Sequence, residues 1–267
     1  MKILLSMMLI CVALNGVALN GVPRAVQPSG YRPPAASVGV LSEVDFAAAR
    51  PLDEDYRAQF DRCDRENIFR GVPMTGFRKC NTDPNRVRAL LKFPNGAVFF
   101  ESKMGLDIDG SKKACTDPGL VDLCATWFRW PGLSGNARFV DSDKFPYVVI
   151  PIANQRGRSD PEFRDKTGVD QGDLGVVVFR DRVVPVFVAD GGPHNKLGEG
   201  SAALFRELGQ DRCRRMGADG HCQLYRDVSI EGGVLFFLFP GSKIQGLTPE
   251  NAPERIRREA LRLFAQL

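Results

Sequence analysis

Five short runs of β-branched and aromatic residues constrain this chain most. They lie at 97–100, 146–151, 174–179, 183–189 and 234–239. Apolar runs of that length, bounded by turn formers, match buried strands better than helices. Pro94-Asn95-Gly96 turns the chain into the first, prolines bracket the second, and Arg180-Asp181-Arg182 divides the third from the fourth as a hairpin. Helical signals are fewer. Residues 201–208 read as a short helix begun by Ser201 and stopped by Gly209. In the tail, Ile256, Ala260, Leu263, Phe264 and Leu267 recur at helical spacing with Arg and Glu opposite, which predicts an amphipathic helix docked on a core. The expected fold is α+β and β-rich: a compact barrel-like core, a few short helices and the C-terminal helix.

The chain opens with Met1-Lys2 and an almost wholly apolar stretch over 3–14. That is the length of a signal-peptide core and too short to span a bilayer. Gly16-Val17-Ala18 offers a small-x-small cleavage site. Residues 1–18 are therefore expected to be a signal peptide, 19–51 a flexible leader rich in Pro, Gly and Ala, and 52–267 a single catalytic domain. The destination would be extracellular, or periplasmic in a Gram-negative bacterium.

Cysteine use agrees with export. Of seven Cys, Cys11 leaves with the signal, and the remaining six fall in three close pairs. The simplest pairing joins Cys63 with Cys80, Cys115 with Cys124 and Cys213 with Cys222. No CxxC spacing occurs and there are two His, so no zinc site is expected. The balance of 36 basic against 32 acidic residues gives a net charge of +4 with no basic block. Neither nucleic acid nor membrane is an expected partner, no cofactor or metal is implied, and a monomer is expected.

Two acidic stretches carry the candidate chemistry. In the first, a strand ends at Asp190, the loop Gly191-Gly192-Pro193-His194-Asn195-Lys196-Leu197-Gly198 follows, and Glu199 stands beside the helix cap Ser201. Two carboxylates brought together across a loop are what glycoside hydrolysis needs, one to protonate the leaving oxygen and one to activate water or attack. The helix start favours an ionised Glu199 as base, leaving Asp190 as acid, and the reverse assignment stays open. The second stretch is Asp107-Ile108-Asp109-Gly110-Ser111. Its first half has the form of a calcium loop, but Lys112 stands where that loop needs Gly and Pro118 where it needs Glu. Asp107, Asp109 and Asp173 are instead candidates for binding cationic sugar amines, and Lys103 and His194 complete the expected substrate-binding set. Trp127, Phe128 and Trp130 are candidates for stacking on sugar rings, or core aromatics.

Taken together, four segments resemble the fungal-type chitosanases, glycoside hydrolase family 75. They are Val98-Phe99-Phe100-Glu101-Ser102-Lys103-Met104 leading into Asp107-Ile108-Asp109-Gly110-Ser111; Pro146-Tyr147-Val148-Val149-Ile150-Pro151; Gly172-Asp173-Leu174-Gly175-Val176-Val177; and Asp190 through Gly198-Glu199-Gly200-Ser201. They follow the family's order over roughly residues 90–240. The resemblance implies endo-hydrolysis of chitosan, the β-1,4-linked glucosamine polymer, with inversion, using an Asp and a Glu that match Asp190 and Glu199. It implies no cofactor. The first part of the expected domain and the terminal helix lie outside it, which leaves peptidoglycan or another amino-sugar polymer as an alternative substrate. A secreted carbohydrate-binding module without turnover is the alternative of a different class.

The mature protein is expected to begin between about residues 19 and 26 and to carry three disulfides. Its intact mass should then rise by about six hydrogens on reduction; six thiols open to alkylation in the unreduced protein would contradict this.

Overall fold

The computed structural model describes residues 29–61, 68–69, 72–73, 87–120, 122–153 and 158–267. The first of these stretches carries β1 (Arg50–Pro51) and α1 (Glu54–Ala58). A two-stranded pair follows, β2 (Ile68–Phe69) with β3 (Val72–Pro73). Then come β4 (Ala89–Lys92), β5 (Val98–Asp107), α2 (Lys112–Thr116), β6 (Tyr147–Ala153) and α3 (Glu162–Thr167). The second half holds β7 (Leu174–Phe179), β8 (Arg182–Pro193), β9 (Glu199–Ser201) and α4 (Ala202–Glu207). A hairpin of β10 (Cys213–Met216) and β11 (Cys222–Tyr225) precedes β12 (Ser229–Phe239) and α5 (Ala252–Phe264).

Strands pair in the order β5-β12-β7-β8-β6-β9, and β9 pairs back onto β5, so six strands close a barrel. The expected barrel-like, β-rich fold is the one observed. Alternation explains its two cores. Along β12, Leu235, Phe237 and Phe239 enter one cluster, and Val234, Phe236 and Leu238 the other. The first cluster takes in Ile256 and Ala260 of α5, and the second takes in Leu204 and Phe205 of α4. The apolar stripe of the tail thus packs as its spacing predicts, with Leu263, Phe264 and Leu267 partly buried at the edge. Phe237 is a hub: its ring lies 4.8 Å from Phe99 of β5, 5.0 Å from Phe264 of α5 and 6.2 Å from Phe46.

Phe46 belongs to the segment expected to be a flexible leader, and that expectation needs correction. Within its described part, Leu41, Phe46 and Ala49 are buried, and Arg50 and Pro51 pair with Lys92 and Leu91. The Tyr31 hydroxyl donates to Glu101 Oε2 at 2.7 Å. A few apolar anchors spaced through a Pro/Gly-rich segment have no period to betray them, yet each fills a place on the barrel surface. Folded structure starts by Ser29, well before residue 52.

Cys115 bonds Cys124, and Cys213 bonds Cys222, as the close spacing predicts. The third expected pair, Cys63 with Cys80, and the expected signal peptide lie outside the described residues. No described helix is long and apolar enough to cross a membrane. The two disulfides fit a protein that matures in an oxidising compartment.

Phe237→Ala is expected to cost about 3–5 kcal/mol, because it empties a fully buried site shared by three elements. Calorimetry should show Tm falling by about 6–20 °C. Val38→Ala, at a half-exposed position, should stay within about 0.5 kcal/mol of the parent.

Candidate active site

Asp190 and Glu199 flank the same residue. Val149 of β6 sits opposite Asp190 of β8 on one side and opposite Glu199 of β9 on the other. Partners in register present their side chains to the same face of a sheet, so both carboxylates share a face with Val149. Two strand spacings separate their Cα atoms by about 9–10 Å. A β-bulge makes this possible. Val188 pairs with Val148 and Asp190 with Val149, so Ala189 is an extra residue in β8. One added residue changes which side chain meets the face, a recognised use of bulges beside functional sites.

Asp190 is therefore not at a strand end, as the sequence suggests, but within β8, which runs on to Pro193. Glu199 likewise lies in a strand rather than at the helix start. The helix begins at Ala202, with Ser201 Oγ accepting from the Leu204 N–H at 3.1 Å. The close neighbour of Glu199 is a cation instead: Lys196 Nζ donates to Glu199 Oε1 at 2.7 Å, and both residues are buried. Gly192 leaves room for this carboxylate: a Cβ there would come within 2.9 Å of Glu199 Oε2 and displace it.

A cavity of about 60 Å³ is lined by Asp107, Asp109, Asp122, Asp190 and Glu199, with Val149 and the Gly191-Gly192-Pro193 backbone. The end of β5 and the loop after it supply three of these acids. Asp107 accepts from the Asp109 N–H at 2.9 Å, Asp109 from the Leu123 N–H at 2.5 Å, and Asp122 from the Ile108 N–H at 3.3 Å. The Cys115–Cys124 bridge ties the returning half of this loop to α2. Gly110, at φ +74°, lets the loop pass Val140, whose carbonyl oxygen a Cβ would meet at 2.0 Å.

Burial dominates the electrostatics. Asp190 is pushed up to about 6 by burial, against the Gly191 and Trp127 N–H groups, at 2.8 and 2.9 Å from its Oδ1, and a hydrogen bond with Asp109. Burial also raises Asp107 well above the usual carboxylate range, reinforced by the charges of Asp190, Asp122 and Glu199. Asp109 rises for the same reason, helped by Asp107 and Asp190. Crowded, desolvated carboxylates of this kind hold protons at a pH where isolated ones do not. Asp107, Asp109 and Asp122 also bring one oxygen each within 4.8 Å of one another, a spacing a cation could bridge.

A second cavity, about 400 Å³, adjoins the first. Asp109, Leu123, Asp190 and Gly191 belong to both walls; Trp127, Arg129, Ile152, Asp160 and Arg164 line the remainder. Trp127 is the member of the aromatic trio that faces it. Phe128 and Trp130 are buried against Phe187, with ring centroids 5.3 and 5.9 Å away, and so are core residues.

The structure thus brings together Asp107, Asp109, Asp190 and Glu199 from the expected set. Asp173, Lys103 and His194 do not line either cavity. Asp173 sits before β7, where its Oδ2 accepts from the Asp170 N–H at 2.8 Å and its carboxylate also takes the Gly241 and Lys243 N–H groups. Lys103 is buried within β5, its carbonyl facing Gly198. His194 binds through its backbone, its N–H donating to the Ala153 carbonyl and its own carbonyl accepting from Gln59. Sequence reasoning missed Asp122 and Lys196. The signal for Asp122 was its place inside the Cys115–Cys124 ring; for Lys196 it was the spacing of three to Glu199 in a loop otherwise poor in charge.

No protein-family model matches this chain, and no curated protein is significantly similar to it. The reading of the site therefore rests on its residues and geometry.

Because Asp190 is raised when folded, it favours folding below about pH 4 and that contribution is lost as pH rises through about 6. Asp190→Asn keeps an acceptor for both N–H groups and removes the buried charge. It is expected to raise Tm at about pH 7.5, by up to about 3 kcal/mol of stability, and to leave Tm nearly unchanged at about pH 4. Thermal melts of both proteins across this range check it; a difference independent of pH would contradict it.

Proposed function

We propose that this chain is a secreted glycoside hydrolase acting on a β-linked amino-sugar polymer, with chitosan the substrate its acidic cavity fits best. One observation carries the reading: Asp190 and Glu199 register against Val149 from opposite sides and line one cavity. An inverting pair needs its carboxyl groups about 6.5–9.5 Å apart so that a water fits between base and sugar. A pair two strands apart suits that span better than the about 5 Å of a retaining pair.

The two cavities suggest how the roles divide. Glu199 lines only the small one, which has room for water but not for a sugar ring. Asp190 lines both. Glu199, ion-paired with Lys196, would take a proton from a water in the small cavity as that water's oxygen bonds the anomeric carbon. Asp190, held protonated by burial, would give its proton to the glycosidic oxygen as the carbon–oxygen bond breaks. The new hydroxyl then lies on the face opposite the departed sugar, which is inversion. The free amines of chitosan are hydrogen-bond donors, and the acid oxygens around the two cavities can accept from them whether or not they hold a proton.

Reducing-end release should be measured on chitosan, chitin and peptidoglycan. Release from chitosan is expected, with Asp190→Asn and Glu199→Gln each cutting turnover by about 10²–10⁴-fold while binding is largely kept. The rate should fall as pH rises above about 6, where Asp190 gives up its proton. Binding without release from any of the three polymers would make this a carbohydrate-binding module, and full turnover by the double variant would move the chemistry elsewhere.

A further inference from the structure

We infer that the cavity beside the acidic cluster is a sugar subsite built on Trp127, holding a hexosamine ring of the polymer next to the bond that is cut. The inference rests on the reading of Asp190 as catalytic, but its test does not require turnover. Three observations converge on it. The cavity, at about 400 Å³, lies within the about 300–1,000 Å³ usual for small-ligand sites. It shares Asp190 and Gly191 with the acidic cavity, so a ring held there reaches the carboxylate without a rearrangement. Trp127 is tied to the same carboxylate by its own backbone, its N–H donating to Asp190 Oδ1 at 2.9 Å.

The indole is half-buried and packed against the core that includes Phe163 and Leu204, and the Arg164 guanidinium lies over the ring, 5.9 Å from its centre, at the rim of the cavity. Arg164 is in turn paired with Asp170 at 3.3 Å. An aromatic braced this way loses little freedom when a ligand lies against it. Sugar rings offer an apolar face of C–H groups and a rim of hydroxyls. The first suits an indole, and the second suits the polar rim of Asp160, Arg164 and Arg129. Phe128 and Trp130, the other members of the trio, are sealed in the core, so the platform is a single residue.

The chain has two Trp, and Trp130 is only 2% exposed, so its emission should be insensitive to a surface ligand. The experiment uses the Asp190→Asn protein, to prevent turnover, titrated with a glucosamine hexamer and with its N-acetylated counterpart. Binding is followed by calorimetry and by tryptophan emission with acrylamide quenching. The expected result is a saturable change in emission and reduced quenching. Adding Trp127→Phe should abolish the optical signal and keep affinity within several-fold, whereas Trp127→Ala should weaken binding about tenfold to a hundredfold. A hexamer that binds by calorimetry yet leaves emission and quenching unchanged overturns the subsite, as does a folded Trp127→Ala protein with parental affinity, or no binding of either hexamer. Trp127-dependent binding by a parent protein that cleaves nothing would keep the subsite and reject the hydrolase reading. Cleavage with an unchanged KM in Trp127→Ala would do the opposite.

Discussion

Three residues close the barrel. β9 spans only Glu199, Gly200 and Ser201, yet it pairs parallel to β5 and antiparallel to β6, and without it the sheet has two open edges. The fit leaves no freedom. Gly198 enters at φ +87°, where a Cβ would lie 2.0 Å from the Lys103 carbonyl oxygen, and a Cβ on Gly200 would strike Leu204 at 2.5 Å. Ser201 then serves three partners with one hydroxyl: it accepts from the N–H groups of Tyr147 and Leu204 and donates to the Phe145 carbonyl. The candidate base Glu199 is therefore part of the closure itself, held by strands on both sides rather than carried on a mobile loop.

That placement carries an electrostatic cost. Five carboxylates surround a cavity too small to hydrate them fully, and an unpaired buried charge is among the most destabilising features a fold can hold. The fold answers in three ways. Backbone N–H groups of Ile108, Asp109, Leu123, Trp127 and Gly191 point at carboxylate oxygens. Protons are retained, as the upward displacement of Asp107, Asp109 and Asp190 indicates. Lys196 supplies one buried positive charge. A buried ion pair of this kind is weak evidence for stability, since a well-packed apolar replacement is often neutral or stabilising. Desolvated carboxylates with raised pKa values gathered at a cavity mark a candidate functional site.

Much of this was legible in the sequence, for identifiable reasons. The strands at 98–107, 147–153, 174–179, 182–193 and 229–239 cover the five apolar runs to within one residue, because a strand buried on both faces has no polar alternation to blur it. Asp107, Asp109, Asp190 and Glu199 stood out as acids set among Gly at the edges of those runs. What the sequence hid was pairing. β9 has no β-forming residue, and it is a strand only because β5 and β6 flank it. The bulge at Ala189 has no composition of its own, so Asp190 looked like the end of a strand that in fact continues. Asp173 looked like a groove acid because its neighbours are Gly and Leu, as in the other stretches. Its environment is instead a turn whose N–H groups it satisfies.

The same distinction separates the acids from the aromatic beside them. Trp127, Phe128 and Trp130 have nearly the same sequence surroundings, and no periodicity says which one faces solvent. The choice is made by two backbone bonds to consecutive residues of β8: Phe128 N–H donates to the Ala189 carbonyl, and Trp127 N–H to the Asp190 side chain. The bulged residue thus fixes the core aromatic, and the residue after it fixes the half-buried one at the cavity. Were β8 regular with Ala189 opposite Val149, Asp190 would fall one position further on, so that Asp190 left its face and Trp127 lost its tether together. The carboxylate and the indole are both set by one irregularity in one strand.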